Sequence, residues 1–360
     1  MNAHVIGAGM AGLTSAVSLA RIGYKVTIWE KEELPCVFAS SRNAAIFRTY
    51  ESDPVISYLV KRNYIHMLNA RKEGVELLNE TGLILDPLET DYYEEPFLKK
   101  NPEAERLRSC KKTILLPGGT EFSGVYIPGN GVIDIHAMQE YFLKKAKEKD
   151  VIIHYQKRVS ALEKESDQIV RFQLNENQTV EMEQGDIFVN AAGSWAKELF
   201  EKNALNSAPL VPHKRHLYFI KTKEAVSNLP VIWDEKKDIY FRPEIPGFIA
   251  THCDQRPAEA DDFSAVEGET ENFLHALTGA YPFFKDYYIS RYWACLRTFS
   301  LDNLPIIGFD RKQKNVLWFT GFGGRGMSIA FAAGQFLEQK LEDETIYDDI
   351  KNPLSPSRFY

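Results

Sequence analysis

The sequence has 360 residues, 44% hydrophobic and 26% charged, an ordinary folded composition with room for one large domain or two smaller ones. A net charge of −7 gives no basic footprint, so nucleic acid is set aside as a partner. Cys36, Cys110, Cys253 and Cys295 form no CxxC pair and the histidines no HExxH pattern, so reduced thiols and no metal are expected. No apolar run reaches membrane-spanning length and no signal-peptide pattern opens the sequence, so the cytoplasm is the expected location.

The first thirty residues hold the strongest local pattern. A short apolar strand, His4 to Ile6, runs into Gly7, Gly9 and Gly12, the GxGxxG spacing, with Met10 and Ala11 inside the turn. A helix follows with Leu13, Val17 and Ala20 on one face, and Gly23 sits where a left-handed residue would end it. A second strand, Lys25 to Trp29, closes on Glu30 and Lys31. Gly7 permits a tight turn, Gly9 lets a pyrophosphate approach the backbone, and Gly12 lets helix and strand pack closely. The helix N-terminus offers N–H groups and a positive dipole end to phosphate, and Glu30 is placed to accept ribose hydroxyls. The whole context predicts a dinucleotide site; on the motif alone NAD and FAD both stand, and the acid argues against NADP.

Further along, a helix is predicted from about His136 to Lys149, with Met138, Tyr141, Phe142 and Lys145 on one stripe. Val159 to Glu163, Ile169 to Leu174 and Thr179 to Met182 read as a small antiparallel meander. A strand from Asp186 to Asn190 then enters a second small-residue turn, Ala191 to Ala196. Between about 205 and 298 strand patterns dominate: His216 to Thr222, Asp238 to Arg242, Phe248 to Cys253 and Tyr287 to Thr298, the middle pair joined by Pro243 to Gly247. The chain closes with strand Val316 to Thr320, a glycine-rich loop, Gly321 to Gly326, and a helix from about Ser328 to Leu341.

Five of these segments, VIGAGMAGL, SSRNAAIFR, VNAAGSWA, WACLRTFSLDNLPIIG and TGFGGRGMSIA, together resemble the D-amino-acid oxidase superfamily, which includes glycine oxidase, sarcosine oxidase and D-arginine dehydrogenase. They occur in that family's order and span nearly the whole chain. The resemblance implies an α/β fold: a Rossmann-like FAD-binding domain, discontinuous over 1–85, 135–204 and 299–360, with an inserted, mainly antiparallel substrate domain at 86–134 and 205–298. It also implies FAD rather than NAD. An NAD enzyme would leave the C-terminal glycine loop without a role.

The resemblance extends to single residues. Ser41, Arg42, Asn43 and Ala44 would pass under the flavin ring, or form an ordinary loop. Val159 would pack on the adenine, or serve as plain core. Ala192, Gly193 and Trp195 join the cofactor contacts, and Gly321, Gly323, Gly324, Arg325, Gly326 and Met327 would aim backbone N–H groups and a helix start at the flavin. Cys295 falls where monomeric sarcosine oxidase attaches its flavin covalently; a buried free thiol is the other reading.

The implied chemistry is hydride transfer from the carbon beside an amine to flavin N5, giving an imine that water hydrolyses. An amino acid substrate needs a fixed cation for its carboxylate, best a bidentate arginine. Arg297 matches the family position for this, Arg48 is a second candidate, and Tyr240 would close the pocket or sit in the core. Tyr50 and His216 are candidates by neighbourhood. The Phe248 to Cys253 strand has no lysine of the kind sarcosine oxidases use for oxygen, which favours a dehydrogenase over an oxidase. Oxidation of a 2-hydroxy acid and a non-catalytic FAD-binding subunit remain as alternatives.

Overall fold

The computed structural model describes residues 1–87, 95–222, 226, 228–342 and 352–360. Its first element is the strand Asn2–Ile6, which turns at Gly7 into the helix Met10–Arg21. Gly7 has φ +99°, a conformation that L side chains rarely adopt. A Cβ on Gly12 would lie 1.8 Å from the Gly7 carbonyl oxygen, so only glycine lets this helix settle on its strand. Gly23, at φ +96°, ends the helix as the sequence predicts, and the Tyr24 N–H donates back to Leu19 at 3.1 Å.

The next strand, Lys25–Trp29, pairs in parallel with the first. Together with Ile152–His154, Ile187–Asn190, Val316–Thr320 and Ile306–Phe309 they form a six-stranded sheet, parallel except for Ile306–Phe309. The helices Met10–Arg21, Pro54–Lys72 and Gly326–Glu342 contribute buried faces to one continuous apolar core with this sheet. The predicted helix spans Ile135–Glu148, capped by the Asp134 carboxylate, which accepts from the Ala137 N–H at 2.9 Å. Met138 and Phe142 are buried as predicted.

The meander occurs as Val159–Glu165, Gln168–Leu174 and Gln178–Glu181. A second, larger and mainly antiparallel sheet joins Leu210–Lys221, Val231–Asp234, Ile239–Pro243, Gly247–Thr251 and Tyr288–Ser300 to Leu83–Asp86, Cys110–Leu115 and Glu121–Ile127. Its outer face packs on the helix Glu269–Ala280, where Phe273 stacks on Tyr218 with centroids 3.8 Å apart. That helix lies inside the stretch where strand patterns dominate, and its apolar face is short: Phe273, Ala276, Leu277 and Ala280.

The register of the two longest strands decides what faces inward. Leu210–Lys221 and Tyr288–Ser300 pair antiparallel, with His213 opposite Arg297, Arg215 opposite Cys295 and Leu217 opposite Trp293. Directly opposed residues share a face and neighbours alternate, so Arg215, Cys295 and Arg297 lie on one side and His216 on the other.

The close approach at Gly12 supplies a test. Gly12→Ala should cost at least about 3 kcal/mol by overpacking. Gly279→Ala, in a helix where nothing lies within 4 Å of the added carbon, should gain about 0.5–1 kcal/mol. Urea unfolding of both variants reads the difference.

Candidate active site

A cavity of about 760 Å³ runs between the two sheets, lined at one end by Gly7, Gly9 and Glu30 and at the other by Arg215, Tyr240 and Arg297. The glycine end is built by short local bonds. The Glu30 carboxylate accepts from the Ala8 N–H at 2.6 Å and the Glu32 N–H at 2.9 Å, which fixes it at the strand's end. An added Cβ on Gly9 would touch nothing nearer than Ser40 Oγ at 3.4 Å. That same hydroxyl accepts from the Met10 N–H at 2.9 Å, tying the turn to the following loop.

Most of the anticipated cofactor residues lie on this wall: Met10, Ala11, Lys31, Asn43, Ala44, Val159, Ala192, Gly193, Trp195, Gly321, Gly323, Gly324, Arg325, Gly326 and Met327. Gly12 does not; its role is packing. Ser41 and Arg42 also stand off the cavity. The Ser41 hydroxyl donates to the Cys36 carbonyl, and the Arg42 guanidinium lies over the Phe38 and Phe263 rings. Phe263 reaches across from the antiparallel part and stacks on Phe38 at 5.0 Å, while Ser194 Oγ donates to the Ala260 carbonyl at 2.7 Å. This segment, 258–266, therefore clasps the two sheets over the cavity.

The glycine-rich loop is shaped by steric need. Gly321 and Gly323 have φ +73° and +57°, and a Cβ on Gly323 would meet the Phe299 ring at 2.4 Å. At Gly324 an added Cβ would lie 3.3 Å from Arg297 Cδ, so the arginine lies directly over this residue. The helix Gly326–Glu342 begins here, two residues before the predicted start.

At the other end the charged residues fall into two groups. Arg48 is bonded to Glu235 at 2.6 Å and lies 3.3 Å from Glu51, while Arg325 donates to Glu51 at 2.9 Å. Burial alone would raise the Glu51 carboxyl, but Arg48 and Arg325 outweigh it and hold the group below its ordinary range. Arg48, the second candidate anchor, thus faces the cavity with its charge already answered by Glu51 and Glu235.

Arg297 stands differently. Its guanidinium makes only two long contacts, 3.4 Å to the Asp254 carbonyl and 3.3 Å to Gln255, and its Nε has no hydrogen-bond partner among the described residues. Burial first, then the like charge of Arg215, push it down to about 10, still a cation at neutral pH. Tyr240 lines the same space, stacked on Trp233 at 4.4 Å, and burial raises its phenol. Cys295 lines the cavity too, and burial raises its thiol.

Two candidates fall outside. Tyr50 is buried in the core and does not line the cavity. His216 points to the opposite face of its strand. Its Nδ1 donates to Asp254 Oδ2 at 2.8 Å and its Nε2 accepts from the Val266 N–H at 3.1 Å, one tautomer satisfying both. His216, Asp254 and Glu269 bring ligand-type atoms within 4.8 Å of one another, but both ring nitrogens are committed to these bonds. Residues that the sequence reading missed include Arg215, Glu51, Trp233 and Phe263. Arg215 and Trp233 follow from strand parity once the register is known; Glu51 and Phe263 come from loops and carry no such signal.

The chain matches the family model described as FAD dependent oxidoreductase (DAO) over residues 3–339. Mitochondrial dimethylglycine dehydrogenase of Mus musculus is 25% identical over 394 residues, covering 99% of this chain and 44% of the relative. The chain thus spans less than half the length of that curated relative. Among solved structures, glycine oxidase from Geobacillus kaustophilus superimposes with TM-score 0.77 at 20% identity, over 99% of this chain and 98% of that one. L-proline dehydrogenase from P. horikoshii gives TM-score 0.77 at 21% identity, over 99% and 97%. These likenesses establish the same fold. Among the described residues no helix is long and apolar enough to cross a membrane.

Glu51 offers a direct test of the charge network. Glu51→Gln should destabilise the protein by about 1–3 kcal/mol, because two partly buried guanidiniums lose a shared carboxylate. The native contribution holds above the ordinary carboxylate pKa and is lost as pH falls below it. Denaturant unfolding of the native and variant proteins should therefore converge on acidification.

Proposed function

This chain belongs to the FAD dependent oxidoreductase (DAO) family, and from that premise we propose that it oxidises a small amino acid or secondary amine at the carbon beside nitrogen. The observation that carries the reading is Arg297, a partly buried guanidinium that lines the cavity and, among the described residues, has no carboxylate within ion-pair distance. Its Nε is buried without a hydrogen-bond partner, which is costly alone and favourable once a carboxylate completes it.

The cavity wall fits FAD. Gly7 and Gly9 open the backbone to a pyrophosphate, Glu30 is fixed to accept ribose hydroxyls, and Val159 offers a flat apolar contact for the adenine. The loop Gly321–Gly326 and the helix start behind it face the same space as Arg297, so the cofactor's reactive end and the anchored substrate would meet there. FAD, when bound, supplies an acceptor for the hydride leaving the substrate carbon.

The chain's own residues bind and orient. Arg297 takes the substrate carboxylate through paired N–H donors, with Gly324 leaving room beneath it. Tyr240 and Trp233 wall the pocket with aromatic surface and exclude water from the reacting carbon. No side chain on this wall is placed as a strong base, in keeping with a reaction that needs a neutral amine and accurate placement. The strand Gly247–Thr251 brings no lysine to the cavity, which supports an electron acceptor other than oxygen. Burial keeps the Cys295 thiol protonated, which supports a free thiol and non-covalent FAD.

Sheet membership supports the proposed division into an FAD-binding part at 1–85, 135–204 and 299–360 and a substrate part at 86–134 and 205–298. Leu83–Asp86, which pairs within the larger sheet, and Gly131–Ile133, which pairs with Ile46–Phe47 and Leu78–Asn79, are exceptions.

The test is anaerobic mixing of the purified flavoprotein with D- and L-amino acids, N-methylglycine and 2-hydroxy acids, following the visible band. Bleaching by an amine is expected, and Arg297→Met should raise KM about 100-fold. Bleaching by hydroxy acids alone, or by nothing, contradicts the reading. Acid precipitation should release the yellow colour to the supernatant; colour in the pellet would assign a covalent bond at Cys295.

A further inference from the structure

We infer that Arg215 and Arg297 together form a two-guanidinium subsite, so that the preferred substrate is an amino acid carrying a second carboxylate. This deepens the reading above and rests on it, since it presumes an amino acid anchored at Arg297.

Arg48, Arg215, Arg297 and Arg325 all line the cavity. Arg48 and Arg325 are answered by Glu51 and Glu235. For Arg215 and Arg297 the acidic side chain within ion-pair reach, among the described residues, is Asp254, with Oδ1 3.8 Å from Arg215 Nε. Both oxygens of that carboxylate already accept from His216, Oδ1 from the backbone N–H at 2.9 Å and Oδ2 from Nδ1 at 2.8 Å. Two cations therefore share one carboxylate that is already engaged, which leaves one positive charge.

The geometry forces these cations together. Arg215 Nε donates to the Asp254 carbonyl at 2.6 Å, and Arg297 Nη2 approaches the same oxygen at 3.4 Å. Arg215 Nη2 donates to the Cys253 carbonyl at 3.0 Å, so its position is fixed rather than adopted by chance. Like charges converging on one oxygen away from water repel, and the depressed Arg297 guanidinium reflects that neighbour as well as burial. The cost of assembling them is offset when anions bind between them.

The number of carboxylates then separates the substrate classes. A monocarboxylic acid placed at Arg297 leaves the Arg215 guanidinium with only the engaged Asp254 carboxylate. One with two carboxylates gives each guanidinium its own, whatever the protonation of its amine. Arg297 lies over Gly324 in the glycine-rich loop, whereas Arg215 is held by the two carbonyls of the 253–254 segment. The first carboxylate therefore belongs at Arg297 and the second at Arg215.

Two readouts on the holoenzyme test this. The first is equilibrium binding of non-oxidisable acids, read as perturbation of the visible band: malonate and succinate against acetate and propionate. The second is anaerobic reduction by aspartate, glutamate and iminodiacetate against glycine, alanine and N-methylglycine. Diacids should win in both by on the order of 10-fold or more. Arg215→Met should collapse that ratio, and Arg215→Lys should keep part of it. Equal binding of mono- and diacids by the unmutated protein, or a preference that survives Arg215→Met, overturns the subsite; if the Met variant fails to fold, the unmutated comparison decides alone. Reduction by monocarboxylic amino acids as readily as by diacids leaves the amine reading intact and removes only this inference. No reduction by any amino acid removes both.

Discussion

A guanidinium that lines the cavity with no carboxylate of its own among the described residues is the constraint on which the site depends. Arg297 reaches that position because its strand pairs over its whole length with Leu210–Lys221, so the backbone cannot shift to release it. Gly324 leaves space for its side chain, and the Asp254 carbonyl and Gln255 give it only long contacts. The nearby Arg48–Glu51–Arg325 network shows the contrast. There, opposite charges close on one another and serve the structure, whereas Arg297 has no such carboxylate beside it among the described residues.

The two sheets divide the work. The parallel sheet ends in a turn whose glycines let a phosphate approach the backbone, and its acid at Glu30 is fixed by two backbone N–H groups. The antiparallel sheet supplies a stiff wall on which Arg215, Tyr240, Trp233 and Arg297 keep fixed separations. The segment carrying Ala260 and Phe263 joins the two by a hydrogen bond and a ring stack. In the proposed reading, precision at the reacting carbon depends on that join, because the cofactor would draw its contacts mainly from one sheet and the substrate from the other.

What was legible in the sequence was local. The turn at Gly7, the packing at Gly12 and the helix end at Gly23 follow from backbone sterics and short spacing, and the structure shows each, with Glu30 at the end of its strand. The meander and the C-terminal strand, loop and helix also carry their own periodicity. What was hidden depended on pairing between distant segments. His216 and Arg215 are adjacent in sequence, and only the register with Tyr288–Ser300 decides which faces the cavity. His216 was chosen, and parity turned it toward Asp254. Arg48 was legible as a cationic candidate, but its neutralisation by Glu235, 187 positions away, was not. The helix Glu269–Ala280 was missed because its surroundings are strands and its apolar face is short.

The central claim is that Arg297 anchors a carboxylate where the cofactor can accept a hydride. The most direct measurement is titration of the oxidised flavoprotein with a simple non-oxidisable carboxylate, followed by the visible spectrum, in native and Arg297→Met forms. The account predicts a saturable perturbation in the native protein that competes with an oxidisable amine and disappears in the variant. A perturbation of equal affinity in both forms, or none in either, would contradict it.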